Sequence, residues 1–119
     1  MKPFNISLAL LLSILAINFS FAQNSVKKET IKVWGNCSSC KKHIEKAAIT
    51  AGATTASWNI DSKQLSVSYD PAKTSSITIQ QAIAKAGYDT QDLSGDNIAY
   101  KRLDACCQYD RKKAAKKQQ

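Results

Sequence analysis

Apolar and polar positions along the chain change period several times, and each change marks an element. From Glu29 to Trp34, Ile31 and Val33 share one face between polar neighbours, which predicts a first strand. Between Ser39 and Ala51 the apolar positions Cys40, Ile44, Ala47, Ala48 and Ala51 recur at helical spacing, with Lys42, Glu45, Lys46 and Thr50 facing away. Gly52 stands where a helix of this length ends. Thr54 to Ile60 alternates Ala56, Trp58 and Ile60 with Ser57 and Asn59, a second strand. Asp61 to Gln64 makes a hairpin turn. Leu65 to Tyr69 then alternates strictly, with Leu65, Val67 and Tyr69 on the inner side, so the sheet has one wet face. Asp70-Pro71 ends it.

A second helix is expected from about Thr78, with that hydroxyl as cap and Gln81 three residues on, as in a capping box. Ile79, Ala82, Ile83 and Ala86 form its buried stripe and Gly87 stops it. Tyr88 to Leu93 reads as a short fourth strand. The order from Glu29 to Leu93 is therefore βαββαβ. That order predicts an α+β, ferredoxin-like sandwich, with two helices on one face of a four-stranded antiparallel sheet. Residues 94–110 form an extension: a turn at Gly95-Asp96-Asn97, a short helix near Ile98 to Leu103, and then Cys106-Cys107.

The two ends read differently. Lys2 gives a basic start, Ile6 to Phe21 is apolar apart from Ser7, Ser13, Asn18 and Ser20, and Ser20-Phe21-Ala22 offers small residues for cleavage. Residues 1–22 are expected to be a signal peptide, because the apolar run is shorter than the ~20 residues of a spanning helix. The domain is then exported: secreted, or periplasmic in a Gram-negative source, meeting the membrane only while the leader passes. The formal charge is +8. Much of that excess sits in residues 111–119, which hold Arg111, Lys112, Lys113, Lys116 and Lys117 without apolar periodicity and read as a disordered basic tail. The chain lacks the interleaved aromatic and basic pattern of a nucleic-acid binder.

The candidate chemistry lies at the first strand-to-helix junction, Trp34-Gly35-Asn36-Cys37-Ser38-Ser39-Cys40. Two cysteines spaced this way at a helix start meet unpaired N–H groups and the positive end of the helix dipole, which favour thiolate. Such a pair either grips a soft ion or cycles between dithiol and disulfide. Cys37 and Cys40 are the candidate ligands, with Cys106 and Cys107 as possible additions. About 13 residues separate the fourth strand from Cys106, and at ~3.3 Å each they span up to ~43 Å, enough to return to the junction. His43, the single histidine, stands one turn past Cys40, as a third ligand or simply a polar surface group. Lys41, Lys42 and Lys46 either offset thiolate charge and dock an acidic partner or form a solvated face. Trp34 and Trp58 read as ligand-stacking groups or, on alternating strands, as core.

Several motifs occur together and in order: Gly-x-Cys-x-x-Cys, Ile44-Glu45-Lys46-Ala47, Tyr69-Asp70-Pro71, and Ala82-Ile83 to Ala86-Gly87-Tyr88. With them, Glu29 to Leu93 resembles a heavy-metal-associated domain, the family of copper chaperones, of the N-terminal modules of copper-pumping ATPases and of the periplasmic mercury-binding protein. The resemblance implies one monovalent copper ion, or another soft ion such as mercuric ion or zinc, held by Cys37 and Cys40. It also implies a metal-transporting membrane protein or another metallochaperone as partner. Three features depart from the family pattern. Gly35 falls where a methionine usually packs under the loop, Lys41 replaces a commonly apolar residue, and Cys106-Cys107 lies outside the motif set. Two readings follow: a non-enzymatic, exported soft-metal carrier or detoxifying protein, and a thiol–disulfide oxidoreductase using the same cysteines. The span is short for the second, and thioredoxin-like sites need a cis-proline strand that these two prolines, Pro3 and Pro71, do not supply. A mercury or zinc binder using the additional thiols is the variant of the first.

Overall fold

The computed structural model describes residues 25–112. The leader read over residues 1–22 and the tail beyond Lys112 lie outside the described residues. Strands β1 (Lys27–Lys32), β2 (Thr55–Trp58) and β3 (Gln64–Tyr69) form one antiparallel sheet in the order β1-β3-β2. In the register Ile31 faces Leu65, and Leu65 also faces Trp58, so three large apolar side chains cross the sheet in one row. Ile31, Leu65, Val67, Tyr69 and Trp58 lie on the covered face, as their alternation requires.

Two helices cover that face. Helix α1 (Ser38–Thr50) buries Cys40, Ile44 and Ala48, and α2 (Ser76–Lys85) buries Ile79, Gln80, Ile83 and Ala84. Helix α1 ends where Gly52 adopts φ +112°, a left-handed turn that a side chain would strain. Glu45, placed on the outer side by periodicity, accepts a hydrogen bond from the Trp58 amide at 2.8 Å and so ties α1 to β2. The expected cap of α2 shifts by one turn. Ser75, not Thr78, is the N-cap, its Oγ accepting from the Thr78 amide at 3.2 Å. Both hydroxyls fit the capping rule, and Ser75 precedes the first turn that packs.

The fourth strand is the main correction to the expected sheet. Among the described residues it contracts to one isolated antiparallel bridge, Val33 with Thr90, flanked by Trp34 N–H to Asp89 O and Gln91 N–H to Lys32 O, both 2.9 Å. The chain turns back at once because its side chains find better partners. Thr90 Oγ1 donates to the buried Gln80 carbonyl at 2.7 Å, and the Leu93 amide donates to Thr90 Oγ1 at 3.1 Å. Asp92 holds the other end of the same glutamine, accepting from Nε2 at 2.8 Å.

The extension folds onto this unit. A short helix, α3 (Asn97–Arg102), is capped by Asp96, and a 3-10 turn follows at Ala105–Cys107. Residues Cys107 to Lys112 then run as a strap across residues Gly87–Leu93. Tyr109 anchors it: its hydroxyl accepts from the Asp89 amide and donates to the Gly87 carbonyl, both at 2.7 Å. Its ring stacks on Tyr88 at 5.6 Å between centroids, and Tyr100 packs edge-on at 5.1 Å. Arg111 and Lys112, which the charge pattern groups with the tail, belong structurally to the strap. Arg111 forks onto Asp89 at 2.7 and 2.8 Å, and Lys112 is buried with its ammonium on the Thr90 and Leu93 carbonyls.

Candidate metal centre

The loop from Val33 to Cys37 is held from both sides, and this fixes the first sulfur. The Trp34 amide bonds Asp89 O, while Trp58 Nε1 donates to the Val33 carbonyl at 3.0 Å. Gly35 is buried, and a β-carbon there would stand 2.9 Å from the Trp58 ring and 3.2 Å from Cys40 Cβ. The space left beside this glycine is thus filled by Trp58, reaching up from β2, while Trp34 remains half-exposed between Lys32 and Lys112. Cys37 is the residue before α1, with extended backbone, and Cys40 lies in the first turn. Their sulfurs are 3.3 Å apart. Cys40 Sγ also donates to Asn36 Oδ1 at 3.2 Å, a contact within the loop itself.

A third sulfur joins them. Cys107 Sγ lies 3.4 Å from Cys37 Sγ, and the sulfurs of Cys37, Cys40 and Cys107 all fall within 4.8 Å of one another. Cys40 and Cys107 are buried and Cys37 is half-exposed. Cys106 does not enter this group: it is exposed, its sulfur 3.8 Å from that of Cys107. All four cysteines are free. His43 Nδ1 pairs with the Tyr88 hydroxyl at 2.9 Å and stays outside the thiol group. Lys41 bonds Glu45 and the Trp58 carbonyl, whereas Lys42 and Lys46 are exposed.

The local field sets Cys37 and Cys107 apart. Burial is the largest influence on Cys37 and raises its pKa; the Cys40 backbone amide, the Cys40 and Cys107 thiols and the Ser39 amide outweigh it and bring the value to about 7. For Cys107, burial comes first and pushes the thiol well up, and the neighbouring sulfurs of Cys37 and Cys40 push the same way. Tyr88 is fully buried beside Cys40 and Cys107; burial and those two sulfurs hold its hydroxyl protonated. Cys37 is therefore partly thiolate near neutral pH. An arriving cation would have to displace the proton of Cys107 to use it, so binding there releases acid.

Residues 36–89 match the heavy-metal-associated domain model. A βαββα frame with paired thiols at the head of α1 is that family's architecture, and the chain belongs to the heavy-metal-associated domain family. It is similar to CopZ metallochaperone, with 35% identity over 54% of this chain and 98% of that one, at a TM-score of 0.51. It is also similar to MerP from Ralstonia metallidurans CH34, solved in its oxidised form, with 30% identity over 56% of this chain and 96% of that one and a TM-score of 0.53. A third neighbour is the N-terminal domain of a potential copper-translocating P-type ATPase from Bacillus subtilis in its Cu(I)-loaded state. There the identity is 26%, over 56% of this chain and 85% of that one, with a TM-score of 0.52. No curated protein sequence matches the chain.

Cys37 and Cys40 are marked by a local motif, whereas the groups that bring Cys107 to them are not. Asp89, Tyr109 and Arg111 act at distances of about 20 residues and carry no local pattern. One sign was available. Tyr109 is an aromatic set between the polar Gln108 and Asp110, two residues past the cysteine pair.

Proposed function

We propose that this chain is a soft-metal carrier in which Cys37 and Cys40 hold one monovalent copper ion for transport, transfer or sequestration. The observation that carries the reading is the pair of sulfurs 3.3 Å apart at the start of α1, within the stretch that matches the family. Thiolates are soft donors and select monovalent copper, zinc or mercuric ion over hard cations. The residues after Met1 contain no methionine and only His43 as imidazole, a poor donor set for divalent copper. A partly open thiol such as Cys37 lets an incoming thiolate attack the bound ion, which suits hand-over more than storage. Structural zinc would want four closed ligands.

In this reading the protein works outside the cytoplasm after loss of residues 1–22, passes its ion to a metal-transporting membrane protein or another metallochaperone, and turns over no substrate. Support for a copper role comes from the similarity to the ATPase domain solved in its Cu(I)-loaded state, and mercuric ion is the alternative that the family resemblance implies. The test is anaerobic native mass spectrometry of the reduced protein titrated with monovalent copper, zinc and mercuric ion. One copper per chain is expected, bound in preference to zinc, and lost when Cys37 and Cys40 are both changed to Ser. Uptake unaffected by the double substitution, or disulfide turnover by the metal-free protein, would overturn it.

A further inference from the structure

We propose that Cys107 is a third metal ligand, delivered by the C-terminal strap, so that the bound ion sits in a three-sulfur site rather than between two sulfurs. This rests on the soft-metal reading above and adds the ligand that the paired-cysteine motif lacks.

The sulfur spacing favours three ligands over two. With a metal–sulfur bond of ~2.3 Å, two sulfurs facing each other across a linear ion lie about 4.6 Å apart, and three around a trigonal ion lie about 4.0 Å apart. The sulfurs of Cys37 and Cys40 are 3.3 Å apart, and those of Cys37 and Cys107 are 3.4 Å apart. Reaching the linear arrangement would spread the first pair by more than an ångström, against a loop pinned by Trp58 and Asp89. Reaching the trigonal one needs about half that movement. The linear arrangement would also leave the Cys107 sulfur beside the ion and unengaged.

Cys107 is also ordered before any ion arrives. A cysteine on a free tail would sample many positions, and fixing it opposes binding. Here the fixing is done beforehand by groups that have nothing to do with the sulfurs. Tyr109 sits two residues on, held by Asp89 and Gly87, and Arg111 and Lys112 clamp the next turn of chain onto Asp89. Cys107 itself is wholly buried, which is how a donor atom is protected from water while it waits for an ion. Cys37 stays half-exposed, so one face of the site remains open for an ion to enter and leave.

The site takes soft cations that accept three thiolates, and monovalent copper is the probe. The reduced chain, residues 23–119, is loaded anaerobically with one equivalent of monovalent copper and studied by X-ray absorption, which counts sulfur neighbours. Three are expected in the wild type, two in Cys107→Ser, and three in Cys106→Ser. Competition against a bidentate cuprous chelator should show Cys107→Ser weaker by about tenfold or more, since a lost ligand costs at least what a lost supporting contact does. A wild type with two sulfur neighbours and unaltered affinity in Cys107→Ser overturns the inference and leaves the two-cysteine carrier standing. A wild type that binds no copper at all overturns both. Far-ultraviolet circular dichroism shows whether Cys107→Ser has folded, and the wild-type sulfur count decides the matter even if it has not.

Discussion

The two walls of the thiol site are built on different principles. The front wall, Trp34 to Cys40, places its sulfurs locally, through a strand end, a tight loop and a helix start, and Trp58 and the Asp89 carbonyl only brace it from outside. The rear wall, Cys107 to Lys112, has almost no internal bonding and is ordered by distant groups, chiefly Asp89, Gly87 and Tyr88. The front wall should therefore survive most changes elsewhere in the chain, and the rear should fail as a unit when one anchor is lost.

The largest break should come from Tyr109→Ala. It empties the stack on Tyr88 and leaves the Asp89 amide and Gly87 carbonyl short of a partner, so we expect a loss of about 3–5 kcal/mol in urea unfolding. Hydrogen exchange should show amides of the strap opening while those of α1 keep their protection. Asp89→Asn comes next. Asp89 is fully buried and receives Arg111, the Gly95 amide at 2.7 Å and the Lys112 amide at 3.0 Å. Losing its charge should cost about 2–3 kcal/mol, and Arg111→Ala made on top should then add little, a coupling readable in a double-mutant cycle.

The front wall is tested by Gly35→Ala. The added methyl meets the Trp58 ring at 2.9 Å, and relief requires the ring or the loop to shift, at about 1–3 kcal/mol. Its signature should be a change in Trp58 fluorescence with the strap undisturbed. Acid gives the mildest and most graded effect. Burial, the largest influence on Asp89, raises its pKa; Arg111 and the Gly95 and Lys112 amides override it and set the carboxyl below its ordinary 3.8. A carboxyl lowered on folding stabilises the strap fully above about pH 4 and loses that contribution as pH falls through the folded value. Strap protection should hold at pH 5 and decline below pH 4, and in Asp89→Asn this decline should vanish.

The same contrast explains what could be read in advance. The three well-paired strands and both long helices follow from local periodicity: Leu65, Val67 and Tyr69 alternate, and Cys40, Ile44 and Ala48 repeat by the turn. Cys37 and Cys40 are legible for the same reason. The helix cap moved from Thr78 to Ser75 because two hydroxyls three residues apart satisfy one rule, and only packing chooses between them. The fourth strand shrank to a bridge because Gln80, Thr90 and Asp92 form a side-chain network that a strand reading of Tyr88 to Leu93 does not contain. Gln80 sits in a helix next to the apolar Ile79, and nothing around it in sequence says it will be buried. Whether Cys106 or Cys107 would approach the loop was beyond any spacing argument, since both fit the available chain length.

Neighbouring residues in a tight turn point to different sides, so the adjacent pair offers one inward and one outward sulfur. Sliding the segment by a single residue would exchange them. The phase is set by Tyr109, whose ring and hydroxyl fit one slot only. Inserting one alanine between Cys107 and Tyr109 should therefore rotate the turn out of step and leave the inner sulfur facing water, with every cysteine still in place.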